Sequence, residues 1–216
     1  MLNLPESTVY GKKILKQKFY DHPSMTPTLK RIFIDQIQQI YWKNKISPFT
    51  VNLGIGNSVS EIEIIYLKLS QKSLDKKALQ LIDKAIPYHI LFLLEFDDKV
   101  QAWISFKEGN SSKTGTLKAG TYYCTEWMKP DELTLHLDGL NMDSVYENFV
   151  YQIAGARLEK ENSDSLKDAV SLDGKRQKLL KEIAALEKKI QKEKQFNRQI
   201  EFFNQLKLLK KELEDL

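Results

Sequence analysis

Apolar residues recur every third or fourth position from Leu29 onward. Leu29, Phe33, Ile37, Ile40 and Tyr41 form one stripe, widened by Ile32, Ile34 and Trp42. This spacing predicts a helix buried on more than one side. It starts after Thr26, a good N-cap, with Pro27 at its first position. Pro48 limits it, so its end falls at residues 44–47. A change of period follows. Glu61 to Leu69 opens with polar–apolar alternation and is β-branched rich, which predicts a strand. Leu74, Ala78, Leu81 and Ile82 mark one face of a helix that Pro87 stops. Ile90 to Phe96 is an apolar run suited to a strand buried on both faces. After the polar Asp97-Asp98-Lys99, alternation resumes: Val100, Ala102, Ile104 and Phe106 on one side, Gln101, Trp103 and Ser105 on the other. This pair is the clearest hairpin in the chain.

Thr116 to Met128 predicts a further strand, ended by Pro130, and Leu133, Leu135 and Leu137 a short edge strand. Asp143 is placed to cap a helix that buries Val145, Phe149, Val150 and Ile153, with Gly155 at its C-terminal stop. Residues 1–25 read as an extended, partly ordered lead. Its Ile14, Leu15, Phe19 and Tyr20 pin it to the body while its lysines face water.

Residues 173–216 change character again. Leu179, Ile183, Leu186 and Ile190 make one heptad-like stripe, and Phe196, Ile200, Phe203, Leu206, Leu209 and Leu213 another. Glu193 and Asn197 occupy the heptad positions between them, so the register breaks there. Two antiparallel helices turning at residues 195–197 would bury both stripes without a partner. A straight helix with a stutter would need a second chain, and the lack of Gly or Pro after Gly174 keeps that option open. The organisation read from the chain is an α+β body over 1–155, a linker over 156–172 and an amphipathic coiled-coil tail over 173–216. The body is a mostly antiparallel sheet with packed helices, and the tail is a helical hairpin or one long helix.

Charge changes this picture modestly. Residues 1–50 carry 8 Lys+Arg against 3 Asp+Glu, and residues 174–216 carry 12 against 7, so each end is net +5 and the middle net −6. Basic ends attract phosphate backbones. Lys12, Lys13, Lys16, Lys18, Arg176 and Arg198 are the candidate nucleic-acid contacts. Interspersed charge on solvated helix faces is the competing explanation. Cys124 is the single cysteine, which excludes an internal disulfide and a multi-cysteine zinc site and fits a reducing, cytoplasmic setting. The longest apolar run, residues 86–96, is interrupted by Pro87, His89 and Glu95, and the N-terminus lacks an apolar signal core. Neither a membrane span nor secretion is expected.

Candidate chemistry is sparse. His22, His89 and His136 lie on separate elements without ligand spacing, so no metal and no cofactor are expected. His89 reads as a core or edge residue with a hydrogen-bond partner, and Cys124 as a small buried residue between aromatics. The G-I-G-N-S stretch at 54–58 lacks the Lys-Ser/Thr of a phosphate-binding loop and reads as a turn. Glu61, Glu63 and Lys68 on one strand, with Asp97 and Asp98 ending the next, raise a metal-dependent nuclease. Glu63 and Lys68 differ by five, however, and so face opposite sides of a regular strand. Tyr122, Tyr123, Trp103 and Trp127 would stack nucleobases if exposed, and alternation leaves at least one of Tyr122 and Tyr123 facing out.

Several phrases along the chain, including 30–33 (KRIF), 82–89 (IDKAIPYH), 126–128 (EWM), 137–140 (LDGL), 145–148 (VYEN) and 194–199 (KQFNRQ), together resemble an uncharacterised bacterial family, domain of unknown function 4391. The resemblance implies gene neighbourhoods with SNF2-type helicases and adenine methyltransferases, as in type III-like restriction or phage-defence loci. It supplies no catalytic residues. The expected function is a non-catalytic accessory subunit of such a complex. Its attachment surface would be Leu179, Ile183, Leu186, Ile190, Phe196, Ile200, Phe203 and Leu209, taking a helicase or methyltransferase subunit or a second copy of the chain. A nucleic-acid-binding module and a divergent nuclease are the alternatives.

Overall fold

A computed structural model describes residues 2, 4–108, 118–158 and 163–216. Contacts divide the chain into two compact units, Met1–Gly155 and Ala156–Leu216. The fold is α+β.

In the first unit six strands among the described residues form one sheet in sequence order. They are β1 (Val9–Ile14), β2 (Ile37–Ile46), β3 (Ile62–Leu69), β4 (His89–Phe96), β5 (Lys99–Glu108) and β6 (Lys118–Cys124). Neighbours are antiparallel except β3 and β4, which run parallel. The helix α4 (Lys76–Ala85) makes the crossover this requires. The short α1 (Gln17–Tyr20) and α2 (Pro27–Gln36) precede β2, α3 (Pro48–Val51) follows it, and α5 (Met142–Ala154) closes the unit. Ile65, Leu67, Phe92 and Leu94 pack on Phe33 of α2 and Leu79 and Ile82 of α4. β4 has its first six residues buried, as its uninterrupted apolar run requires. At the β4–β5 hairpin, Asp97 and Asp98 both have positive φ (48° and 57°). That is the type I′ geometry whose twist matches the flanking strands.

The expected helix from Pro27 to residues 44–47 stops at Gln36, and its second half is strand β2. β2 carries two β-bulges, between Ile37 and Gln39 and between Trp42 and Asn44, and the first explains the misleading spacing. A bulge inserts one residue, so Ile37 and Ile40 reach the same face of the sheet three positions apart. A helix-like period thus arises inside a strand. Residues 9–14 of the expected lead form edge strand β1 on β2. Leu133 and Leu135 point inward as expected, but no strand forms there. The Gln152 side chain instead accepts from the His136 N–H (2.8 Å) and donates to its carbonyl (3.0 Å), taking the place of a neighbouring strand. Asn141, not Asp143, caps α5, with Ser144 completing the capping box.

In the second unit α6 (Leu166–Lys192) and α7 (Phe196–Glu214) form a hairpin. The straight-helix option is thereby closed. Ser165 caps α6 through the Asp168 N–H, so the helix starts inside the stretch read as linker and runs through Gly174. No glycine is needed at the elbow. Glu193 leaves the helix with extended dihedrals, and its carboxylate accepts from the N–H groups of Lys194 (2.9 Å) and Gln195 (3.0 Å). Gln199 donates back to the Glu193 carbonyl at 2.7 Å. Ile183, Leu186 and Leu206 form the seam, flanked by Ile190, Phe202, Leu209 and Leu213. Lys210 and Glu187 pair across it at 3.0 Å.

Candidate functional site

The most polar part of the body's interior surrounds Asp83. Its helix turns Asp83 inward beside the buried Leu79 and Ile82, toward β5 and β6. Lys107 Nζ lies 2.8 Å from Asp83 Oδ1, with both side chains essentially inaccessible. Tyr122 and Ser105 donate hydroxyl protons to Asp83 Oδ2, and Lys107 also donates to the Tyr88 carbonyl. The Tyr146 hydroxyl bridges the Ser105 carbonyl and the Lys107 N–H. Burial pushes the Lys107 ammonium down and the Asp83 charge pushes it back up. Such a pair holds only because each charge is hydrogen-bonded as well as paired. His89 packs its ring against Tyr146 at 4.3 Å. Among the described residues its Nδ1 has no hydrogen-bond partner, unlike the expectation from the sequence. Burial and then the Lys107 charge push it down to about 3, so it stays neutral at physiological pH and serves as core.

The carboxylates raised as nuclease ligands do not converge. Glu63 sits at one end of β3, beside Trp42 and the Lys45–Glu61 ion pair (2.9 Å). Lys68 lies on the opposite face and pairs with Glu95 at 3.8 Å. Asp97 and Asp98 lie past the far end of β4. Glu63 is level with Ile90, so Asp97 is seven residues, about 23 Å of strand, farther on. Among the described residues no group of three or more His, Cys, Asp or Glu is placed to hold a metal ion. Glu63 is itself unusual. It is buried, Trp42 Nε1 donates to its Oε2 at 2.5 Å, and Oε1 has no hydrogen-bond partner among the described residues. Burial pushes its carboxyl up to about 8, opposed by the Trp42 hydrogen bond and reinforced by Glu61.

The glycine-containing loop cradles an anion after all, and the anion belongs to the chain. The N–H groups of Asn57, Ser58 and Val59 converge on the Asp143 carboxylate at 2.6, 3.0 and 2.7 Å. A Cβ on Gly56 would lie 2.5 Å from the Val59 carbonyl and 2.6 Å from Asp143 Oδ1. Only glycine fits there. This site, like the Asp83 network, escaped sequence reasoning. The available signals were a lysine at position 107 in an otherwise alternating strand and an aspartate on the apolar side of a helix.

The basic residues of the N-terminal segment do not form one patch. Register places Lys12 opposite Trp42 and Lys13 opposite Tyr41, on opposite faces of the sheet. Lys12 lies over the Tyr10 ring. Lys16 donates to the Phe33 and Ile37 carbonyls at the end of α2, a helix-terminus contact. Lys18 is exposed on α1. In the tail Arg176 is half-buried and Arg198 lies 3.9 Å from Glu193. Tyr122 and Tyr123 are both buried, because both faces of the sheet are covered at β6. Cys124, expected to be buried, is exposed at the end of that strand. Of the proposed attachment residues, Leu179, Ile183 and Leu186 are buried, and Ile190 and Leu209 half-buried. Phe196, Ile200 and Phe203 remain exposed on α7, at 72, 44 and 54 %.

No helix among the described residues is long and apolar enough to cross a membrane. A family model described as Domain of unknown function (DUF4391) matches residues 2–213. No curated protein and no solved structure matches.

Proposed function

The chain belongs to the DUF4391 family, and on that footing we propose that it is a non-catalytic interaction subunit that docks through the outer side of α7. The observation that carries this reading is the row Phe196, Ile200 and Phe203, spaced four and three residues apart and left exposed while the seam residues pack inside the hairpin. Large side chains in such a row are costly to leave in water and suit a partner's apolar helix. The body supports the same reading. Its buried Asp83, Lys107, Tyr122 and Tyr146 serve one another. The partner proposed is a helicase or methyltransferase subunit of a restriction-type or phage-defence complex, the association implied by the family resemblance.

Co-expression of the full chain with any helicase or methyltransferase subunit encoded beside its gene tests this. Size-exclusion chromatography with light scattering should give a stoichiometric complex. The double variant Phe196→Asp/Phe203→Asp should abolish it while the helical circular dichroism is unchanged, because buried aromatic anchors carry ~2 kcal/mol or more each. A wild-type chain that elutes alone, or a double variant that still co-elutes, would overturn the proposal.

A further inference from the structure

The face of the sheet opposite α4 carries a groove of about 270 Å³ over strands β1 to β4. Gly11, Tyr41, Lys43, Tyr66 and Glu95 line it. Strand register places Lys13, Tyr41 and Tyr66 in one row across three strands, and Lys68 beside Glu95 in the next. The two tyrosine rings lie 6.1 Å apart, and the Lys43 ammonium lies 5.5 Å from the centre of the Tyr66 ring. Glu95 stands beside Tyr66 and pairs with Lys68 at 3.8 Å. Gly11 follows from the bulge in β1, where its φ is +63° and a Cβ would meet nothing within 4 Å, so the rim is open there.

We infer that this groove binds single-stranded nucleic acid, with bases stacked on Tyr41 and Tyr66 and phosphates held by Lys13, Lys43 and Lys68. The charge balance suits a polyanion: Lys43 lines the groove, Lys13 borders it in the same register row, and Glu95 is already paired with Lys68. Burial disfavours the Lys43 ammonium, and Glu95 only partly offsets this. An incoming phosphate would therefore strengthen that cation's position. Aromatic rings on a sheet surface, interleaved with cations, are how sequence-tolerant single-strand binders hold bases and backbone together. A duplex hides its base faces, so its bases cannot stack on these rings.

Fluorescence anisotropy of a labelled 20-nucleotide oligodeoxythymidine with the full chain, at low and at physiological salt, tests the inference. Binding should fall with salt, and an unlabelled duplex should compete poorly. Tyr41→Ala and Tyr66→Ala should each weaken binding roughly 5- to 150-fold, the equivalent of one lost stacking contact. Tyr66→Phe, which keeps the ring and removes the hydroxyl, should bind as wild type. Lys13→Ala should weaken binding and flatten the salt dependence. Lys12→Ala, one residue away on the opposite face, should do neither. The lysine pair is exposed and decides the matter even if a tyrosine variant misfolds. No binding at low salt, equal competition by duplex, or equal effects of Lys12→Ala and Lys13→Ala would overturn it.

Discussion

Replacing Glu63 by glutamine should make the protein's stability less sensitive to pH, with a definite sign. Glu63 is buried, accepts from Trp42 at 2.5 Å and has no hydrogen-bond partner for Oε1 among the described residues. Burial, with Glu61 beside it, pushes its carboxyl up to about 8 from the usual 4.5. Between those two values the folded chain keeps a proton that the unfolded chain has released. The neutral carboxyl's stabilising effect is therefore complete below about 4.5 and is lost as pH rises toward 8. The slope cannot exceed about 1.4 kcal/mol per pH unit. Over the full interval the upper bound is roughly 5 kcal/mol, comparable with the whole stability of a small domain. Glutamine has the shape of the protonated acid, can accept from Trp42 and cannot ionise. Urea unfolding at pH 5, 6.5 and 8.5, at constant ionic strength, should show Glu63→Gln close to wild type at the acid end. It should be more stable by about 2 kcal/mol or more at the alkaline end. A difference between the two proteins that stays constant across that range would refute the assignment of a neutral Glu63.

Four further outcomes follow from the same structure. Asp143→Ala should cost about 2–4 kcal/mol in urea unfolding, because three converging N–H groups lose their acceptor. Gly56→Ala should cost about 1–3 kcal/mol by crowding the same cradle. Lys107→Met should cost about 3–5 kcal/mol by leaving Asp83 buried without its counter-charge. Adding Asp83→Asn should recover part of that loss, so a double-mutant cycle that is strictly additive would contradict the pairing. Gly174→Ala should raise stability by about 0.5–1 kcal/mol, since the residue is helical and its Cβ would meet nothing within 4 Å. A lowered denaturation midpoint for that variant would count against an unbroken α6.

The parts of the fold legible in the sequence were those where one period governs a whole element. The β4–β5 alternation with its Asp97-Asp98 turn, the face of α4 and the two tail stripes are all of this kind. Misreadings cluster where side chains rewrite the backbone's pattern. A bulge in β2 after Ile37 imitates helical spacing. The amide of Gln152 replaces a strand beside His136, and a carboxylate at Glu193 replaces the glycine expected at a helical elbow. The polar sites were harder still. Asp143 and the 57–59 loop lie more than eighty residues apart, as do no two positions that local periodicity compares. Asp83, Lys107 and Tyr146 likewise meet only through the tertiary fold. By contrast, the placing of Glu63 and Lys68 on opposite faces followed from strand parity alone, whereas the separation of Asp97 from Glu63 depends on the parallel register of β3 with β4.

The parallel pairing of β3 with β4 has a consequence for how the chain assembles. It divides the sheet into two ladders of three strands, β1–β2–β3 and β4–β5–β6, each zipped by antiparallel neighbours. No hairpin joins the two. They meet only when the α4 crossover closes, at the middle of the sheet, where Ile64 docks beside Leu91 and Tyr66 beside Leu93. Those partners lie 27 residues apart, much like Ile14 and Ile40 of β1 and β2, whereas β4 and β5 meet already between Phe96 and Lys99, so the β4–β5–β6 ladder has the most local start.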